Sequence, residues 1–205
     1  MRKVNVVIAT IVITICTVIY ACGPSASKEG DKASVPSQDE RIKRGEYLVS
    51  TIGCDDCHSP KRMGPQGPEL IPELRLSGYP ANIPVQKPDN DALKQGWMLF
   101  GADLTLAVGP WGVSFAANIT SDATGIGNWQ EGQSITAMRM GKIKGLENGR
   151  SMLPPMPWFN FGKMTDEDLK SIFAYLKTTK AVSNVVPAPM QVADINTKQL
   201  PKKKI

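Results

Sequence analysis

Histidine is almost missing from this 205-residue chain: there is one, His58, alongside four cysteines. A lone imidazole excludes any metal site built on paired histidines, and it leaves little for acid–base catalysis. Paired carboxylates, a hydroxyl–histidine pair and a phosphate-binding loop are also lacking. Dense charge of one sign is scarce. The 24 Lys and Arg outnumber the 19 Asp and Glu, but they are spread along the chain except at Lys202, Lys203 and Lys204. Three terminal lysines do not make a nucleic-acid-binding surface. Gly and Pro, in contrast, are plentiful at 18 and 16 residues, which predicts long connections and argues against a tight helical bundle. With 41% hydrophobic and 21% charged residues, the composition is that of an ordinary globular chain with one decorated domain.

Arg2 and Lys3 precede an uncharged run from Val4 to Ala21, after which come Cys22-Gly23-Pro24 and a polar stretch. A charged start, an apolar run and a small residue at its end form an export signal. Ile19-Tyr20-Ala21-Cys22 resembles the lipobox of bacterial lipoproteins, so residues 1–21 read as a lipoprotein signal peptide and Cys22 as the lipidated N-terminus. A retained membrane helix is the alternative, because roughly 18 apolar residues can just cross a bilayer. Either reading exports the domain and ties it to a membrane. Residues 22–39 hold almost nothing apolar and read as a flexible tether spanning roughly 20–25 Å.

Cys16 and Cys22 fall in or beside the signal, which leaves Cys54 and Cys57 in Cys54-Asp55-Asp56-Cys57-His58. This spacing is that of c-type haem attachment: two thiols add to the vinyl groups of the porphyrin, and the next residue is an imidazole set beneath the iron. A structural zinc ion wants four Cys or His ligands, and the domain offers three. A thioredoxin-type dithiol is expected after a strand, whereas residues 40–52 have helical periodicity, with Ile42, Leu48, Val49 and Ile52 on one face. A plain disulfide is possible in an exported protein but gives no reason for the histidine. One motif means one covalent haem c, and one histidine excludes a second imidazole on the iron.

Methionine is the soft protein ligand that suits the sixth position of a His-ligated electron-transfer iron. Met156 lies in Leu153-Pro154-Pro155-Met156-Pro157-Trp158, where three prolines stiffen the backbone and reduce the ordering cost of a weak thioether bond. Trp158 and Phe159 can wall the same side. Met152, in a less constrained stretch, is the rival ligand. Met164 precedes Thr165-Asp166-Glu167-Asp168, an N-cap with an acidic first turn, and reads as a hydrophobic staple. The helix that follows repeats Leu169, Ile172, Phe173 and Leu176.

An N-terminal helix running into Gly-Cys-x-x-Cys-His, then Met-Pro and Met164-Thr165-Asp166-Glu167-Asp168-Leu169-Lys170, resembles a class I c-type cytochrome over residues 40–180. Arg44-Gly45-Glu46-Tyr47-Leu48-Val49, Gly67-Pro68-Glu69, Leu76-Ser77-Gly78, Asn118-Ile119-Thr120 and Thr124-Gly125-Ile126-Gly127 are similar to haem domains of cytochrome subunits that serve membrane dehydrogenases. Several such subunits carry multiple haems; this chain departs from them in having one attachment motif. The resemblance implies a mostly α, cytochrome c-like fold whose first and last helices cross closely. Gly45 offers the small surface such a crossing needs against Tyr175 or Phe173. It also implies that a proline carbonyl accepts the proton on the other nitrogen of the axial imidazole, with Pro68 expected in that role and Pro60 and Pro65 as alternatives.

Between His58 and Met156 the chain is longer than a minimal cytochrome requires, so the fold is expected to carry an enlarged loop and β-hairpin insertion. Residues 59–95, with prolines throughout, read as irregular loop. Leu104, Leu106 and Val108 alternate before Gly109-Pro110-Trp111-Gly112 and predict a hairpin, either a flap over a haem face or plain core packing. A helix is expected over 129–140 with Ile135 and Met138 buried. Lys142, Lys144 and Arg150 fall in the loop beyond it and could guide an acidic partner, although a solvated loop suits them better. Residues 181–205 read as a polar, basic C-terminal extension. The functional expectation is an exported, membrane-anchored lipoprotein of the periplasm or cell envelope. It would bind iron as haem and pass single electrons between redox protein partners, with no nucleic acid involved. A peroxidase-like enzyme or gas-ligand sensor with an open sixth iron position is the alternative.

Overall fold

Ser37 starts the first helix. In the computed structural model, which describes residues 35–195, its hydroxyl accepts from the Glu40 amide while the Glu40 carboxylate accepts from the Ser37 amide at 2.7 Å. This reciprocal cap satisfies donors that a helix start otherwise leaves open. Helix α1 therefore runs Gln38–Thr51, slightly ahead of the 40–52 periodicity, because the cap lies outside the apolar repeat. Leu48 and Val49 are buried, and Ile42 and Ile52 pack on the same cluster.

The last helix, numbered α6 in chain order, runs Asp166–Leu176, and the Thr165 hydroxyl accepts from the Asp168 amide at 3.1 Å. It buries Leu169, Ile172, Phe173, Tyr175 and Leu176. At its crossing with α1 the backbones touch. A Cβ on Gly45 would lie 1.9 Å from the Ser171 carbonyl oxygen and 2.7 Å from Tyr175 Cβ. Of the two aromatic partners expected there, Tyr175 is the one beside the glycine. Arg41–Glu167 and Arg44–Asp168 pairs, at 3.1 and 2.9 Å, flank the crossing; being solvated and screened, they contribute little beside the packing.

Between these helices lie α2 (Cys54–His58), a hairpin of β1 (Lys61–Gly64) and β2 (Gly67–Leu70), and α3 (Asn90–Lys94). The hairpin and α3 replace part of the irregular loop expected over 59–95. Its prolines are compatible with a two-stranded sheet because Pro65 sits in the turn and Pro68 on an edge, opposite Met63. The second sheet has the order β3 (Leu99–Phe100), β4 (Leu106–Gly109), β5 (Gly112–Phe115). The expected hairpin is present, closed by the Gly109–Gly112 pair with Gly112 at φ +93°, a conformation that favours glycine.

Helix α4 spans Glu131–Met140 and buries Ser134 and Ala137, so the Ile135 and Met138 face expected to be buried is only half-covered. The buried face is shifted by one residue. Arg139 fixes that orientation, donating to the Gly162 and Met164 carbonyls at 2.8 and 3.0 Å and to the Asp166 carboxylate at 2.6 Å. Thus α4 is tied to α5 (Trp158–Phe161) and to the start of α6.

Within the described residues, the stretch after Lys180 packs against the inserted sheet and the Asn118 region. Met190 exchanges backbone hydrogen bonds with Val113 at 2.8 and 3.2 Å. Val108, Val113 and Ile195 form a second apolar cluster with Met190 and Val192 against it. Asn118 donates to the Val182 carbonyl at 2.8 Å, and Asn184 donates to the Ser77 and Tyr79 carbonyls at 2.7 and 2.9 Å. Residues 1–34 and 196–205 lie outside the described residues, including the expected signal, Cys22, most of the tether and the terminal lysines. Among the described residues no helix is long and apolar enough to cross a membrane.

Candidate haem-attachment site

Gly53, at φ +79°, ends the path of α1 and starts the single turn of α2. Cys54 and Cys57 stand three residues apart and so project from one side of that turn, both as free thiols. Burial pushes the Cys54 thiol up to about 12, with the Asp55 and Asp56 charges adding to the effect. The Cys57 thiol is raised by burial and then by Asp56. A dithiol oxidoreductase needs the opposite, a thiol whose ionisation is made easier.

His58 is fixed by its Nδ1, 2.7 Å from the Ala117 carbonyl oxygen. A carbonyl can only accept, so the ring proton sits on Nδ1 and the lone pair is left on Nε2. Burial lowers the pKa of the imidazole, the Ala117 carbonyl opposing it, and the neutral ring is the form that ligates metal. This corrects the expectation of a proline acceptor. Pro68 is exposed on β2 opposite Met63, Pro65 is in the hairpin turn, and the Pro60 carbonyl accepts from the Ile71 amide at 3.0 Å. The acceptor belongs to the insertion, next to Asn118, whose side chain folds back to accept from the Thr120 amide at 3.0 Å.

Three residues that sequence reasoning passed over hold the turn in place. Asp55, between the cysteines, receives Arg75 Nε at 3.0 Å and Nη2 at 2.7 Å, plus the Ser59 hydroxyl at 2.7 Å. Arg75 Nη1 also donates to the Tyr175 hydroxyl at 2.7 Å, linking the turn to α6. Lys61 Nζ lies against the carbonyls of Asp55, Asp56, Ser59 and Asp103 at 2.7–3.1 Å, where a cation complements the C-terminal end of the turn. Ser59 in turn accepts from the Leu76 amide at 2.8 Å. Charged loop residues ordinarily read as solvated, so only the Asp55 position within the motif signalled this network.

Met156 is half-buried, and its carbonyl accepts from the Trp158 amide at 2.9 Å. Two residues earlier, the Pro154 carbonyl accepts from the Ser114 hydroxyl at 2.6 Å. The rival Met152 is differently placed, its amide donating to the Gly141 carbonyl at 2.7 Å beside the Lys142–Ser151 bridge. Trp158 packs over Gly141 and meets Phe159 edge to face, with ring centroids 6.1 Å apart. Cys54, Cys57 and His58 are thus brought together, and the Met156 loop is joined to His58 through Ser114 on β5 and Ala117 just beyond the end of that strand.

This donor set fits a haem c: two protonated thiols on one side of a turn, followed by a neutral imidazole with one nitrogen free. A metal ion held by side chains alone has no such site, since no three His, Cys, Asp or Glu residues group for it among the described residues.

Residues 42–180 match the family model described as Cytochrome c. Over 140 residues the chain is 30% identical to the "Gluconate 2-dehydrogenase cytochrome c subunit" of Pantoea cypripedii, covering 68% of the chain and 23% of that relative. It is 29% identical over 138 residues to the "Fructose dehydrogenase cytochrome subunit" of Gluconobacter japonicus, covering 67% and 21% respectively. A shorter match of 67 residues, at 37% identity, joins it to the "Alcohol dehydrogenase (quinone), cytochrome c subunit" of Gluconacetobacter polyoxogenes, covering 32% of the chain and 14% of that relative. The chain therefore spans less than a quarter of the length of these relatives. Because the family match takes in most of α1, all of α6 and the whole attachment turn, the chain belongs to the cytochrome c family, which implies covalently bound haem c.

Proposed function

We propose that the chain is a membrane-anchored cytochrome c with a single haem, transferring single electrons between redox partners outside the cytoplasm. The observation that carries this reading is the Cys54–His58 turn, whose only imidazole is already tied through Nδ1 to Ala117 and stands in a chain with no other histidine. Cys54 and Cys57 would hold the group by thioethers, with His58 Nε2 and the Met156 sulfur as axial donors. Bound there, a haem supplies a one-electron ferric/ferrous couple. The protein's share is to keep the imidazole neutral and oriented through the Ala117 carbonyl, which raises its basicity, and to present the thioether from a stiff loop.

The named relatives are cytochrome subunits of dehydrogenases, which supports a dehydrogenase as the electron donor and a further redox protein as the acceptor. Cys22, in its lipobox setting, would carry the lipid, and residues 22–39 would let the domain swing near its membrane. Stable attachment needs more than one acyl chain, since a single chain holds marginally.

The test is production of the full chain in a host that matures c-type haem. The expected product carries the added mass of one haem and shows the weak near-infrared-edge band of ferric iron bound to thioether sulfur. Met156→Ala abolishes the band and Met152→Ala leaves it. A colourless product at the mass of its bare chain overturns the function; loss of the band only in Met152→Ala overturns the ligand. Cys22→Ala is expected to release the protein from the membrane fraction.

A further inference from the structure

The loop from Leu153 to Pro157 has three prolines among its five residues, so it has few amides with which to anchor itself. Its outward tie must run through its carbonyls. Among the described residues, the hydrogen bond that reaches it from a distant element is the one from Ser114 Oγ to the Pro154 carbonyl, at 2.6 Å. Ser114 is only 7% exposed. Trp111 Nε1 donates to the same hydroxyl at 3.2 Å, and the one other acceptor near it, the Ala107 carbonyl, is farther away at 3.4 Å. The serine proton is thereby directed at Pro154, and a hydroxyl that accepts while it donates is a stronger donor.

The strand that carries Ser114 is itself held on several sides. Val113 exchanges hydrogen bonds with Met190, the Ala116 amide donates to the Thr105 carbonyl at 2.8 Å, and the Ala116 carbonyl accepts from the Tyr79 amide at 3.0 Å. Ala117, which holds the His58 ring, follows directly. Two residues, Phe115 and Ala116, thus separate the group that anchors the methionine loop from the group that orients the imidazole, a span of at most about 10 Å for three residue steps. We propose that Ser114 is a positioning residue for the Met156 thioether, and that the inserted hairpin is the common frame from which both axial donors are set. This rests on the haem and Met156 reading above.

The experiment uses the full-length, haem-loaded ferric protein. Imidazole is titrated against the thioether band, with thermal unfolding followed separately. Ser114→Ala is expected to bind imidazole about fivefold more tightly, the effect of losing one neutral hydrogen bond, and to lose the band at temperatures below unfolding. Ser114→Thr, which keeps a hydroxyl, is expected to restore the parent behaviour. An imidazole affinity within about twofold of the parent in Ser114→Ala, with the parent band present and abolished by Met156→Ala, overturns the role of Ser114 and leaves the proposed function standing. Absence of the band from the parent overturns both. Should Ser114→Ala fail to load haem, Trp111→Phe decides. It keeps the hydroxyl but removes the donor that directs it, so a weaker shift in the same direction supports the proposal and no shift overturns it.

Discussion

Around the Cys54–His58 turn, a two-toothed ion pair, an ammonium against the Asp55 and Asp56 carbonyls and a buried hydroxyl converge on five residues, whereas among the described residues the Leu153–Pro157 loop receives one hydroxyl from a distant element. The contrast follows from backbone chemistry. A single helical turn is unstable alone, because nucleation fixes several residues for one hydrogen bond, so its geometry has to be imposed by neighbours. A proline-rich loop has lost much of its freedom before folding and needs only a point of attachment. One side of the site is held by contacts of the folded state, the other by restriction of the unfolded chain.

The largest disturbance of the contact-held side is expected from Gly45→Ala. A methyl group 1.9 Å from the Ser171 carbonyl oxygen forces α1 and α6 apart, at a cost of about 3 kcal/mol, the upper part of the range for overpacking. Tyr175 moves with α6 and takes the hydroxyl that Arg75 uses away from its place. Chemical denaturation of the haem-loaded variant should show the loss, with the ferric thioether band still present under native conditions. Disappearance of the band along with the stability would mean that the two sides are not held independently.

Next in size is Arg75→Met. The pair it breaks is partly exposed, 33% for the Arg75 side chain and 18% for Asp55, so about 1–2 kcal/mol is expected rather than the larger penalty of a fully buried charge. Its signature is in the pH dependence. Burial raises the Asp55 pKa, but hydrogen bonds from Arg75 and Ser59 together outweigh it, and the carboxyl is held below its ordinary value. The unfolded chain therefore binds this proton first on acidification. The stabilisation is complete above the unfolded value of about 3.9 and is lost as pH falls through the lower folded value. In Arg75→Met the burial effect is left with only Ser59 and neighbouring charges against it, so the acid-side slope of stability flattens. A slope equal to that of the parent would show that Arg75 does not set the Asp55 charge.

How much of this was legible beforehand depends on whether a side chain carries the information. Cys54, Cys57 and His58 announce themselves by spacing. The α1–α6 crossing was readable from Gly45 and from the period of Leu169, Ile172, Phe173 and Leu176, and the hairpin turn from Gly109 and Gly112. The acceptor for His58 was not, because a backbone carbonyl at Ala117 has no residue signature and lies 59 positions away. Arg75 and Lys61 carry no signal of their own within the loop expected over 59–95, and it is the fold that turns them onto the attachment turn. The pairing of residues 181–195 with Val113 and the Asn118 region has no signal in their own sequence, because it depends on tertiary placement rather than on any period.

The smallest effect is expected where the chain is held by its own stiffness. Pro157 has φ −86° in the structure, a value proline accepts readily, so Pro157→Ala leaves the folded loop unstrained and acts by freeing the unfolded one, worth about 0.4–1 kcal/mol. If the thioether draws on that stiffness, imidazole should displace it about two- to fivefold more readily, while the acid-side slope set by Asp55 stays unchanged. Arg75→Met should do the reverse, altering the slope and leaving displacement alone. Measuring both quantities in both variants separates the two modes of support. Effects that appear in the same variant for both readouts would mean that the frame through Ser114 and Ala117 transmits strain from one axial donor to the other, and that the two sides behave as one cooperative unit.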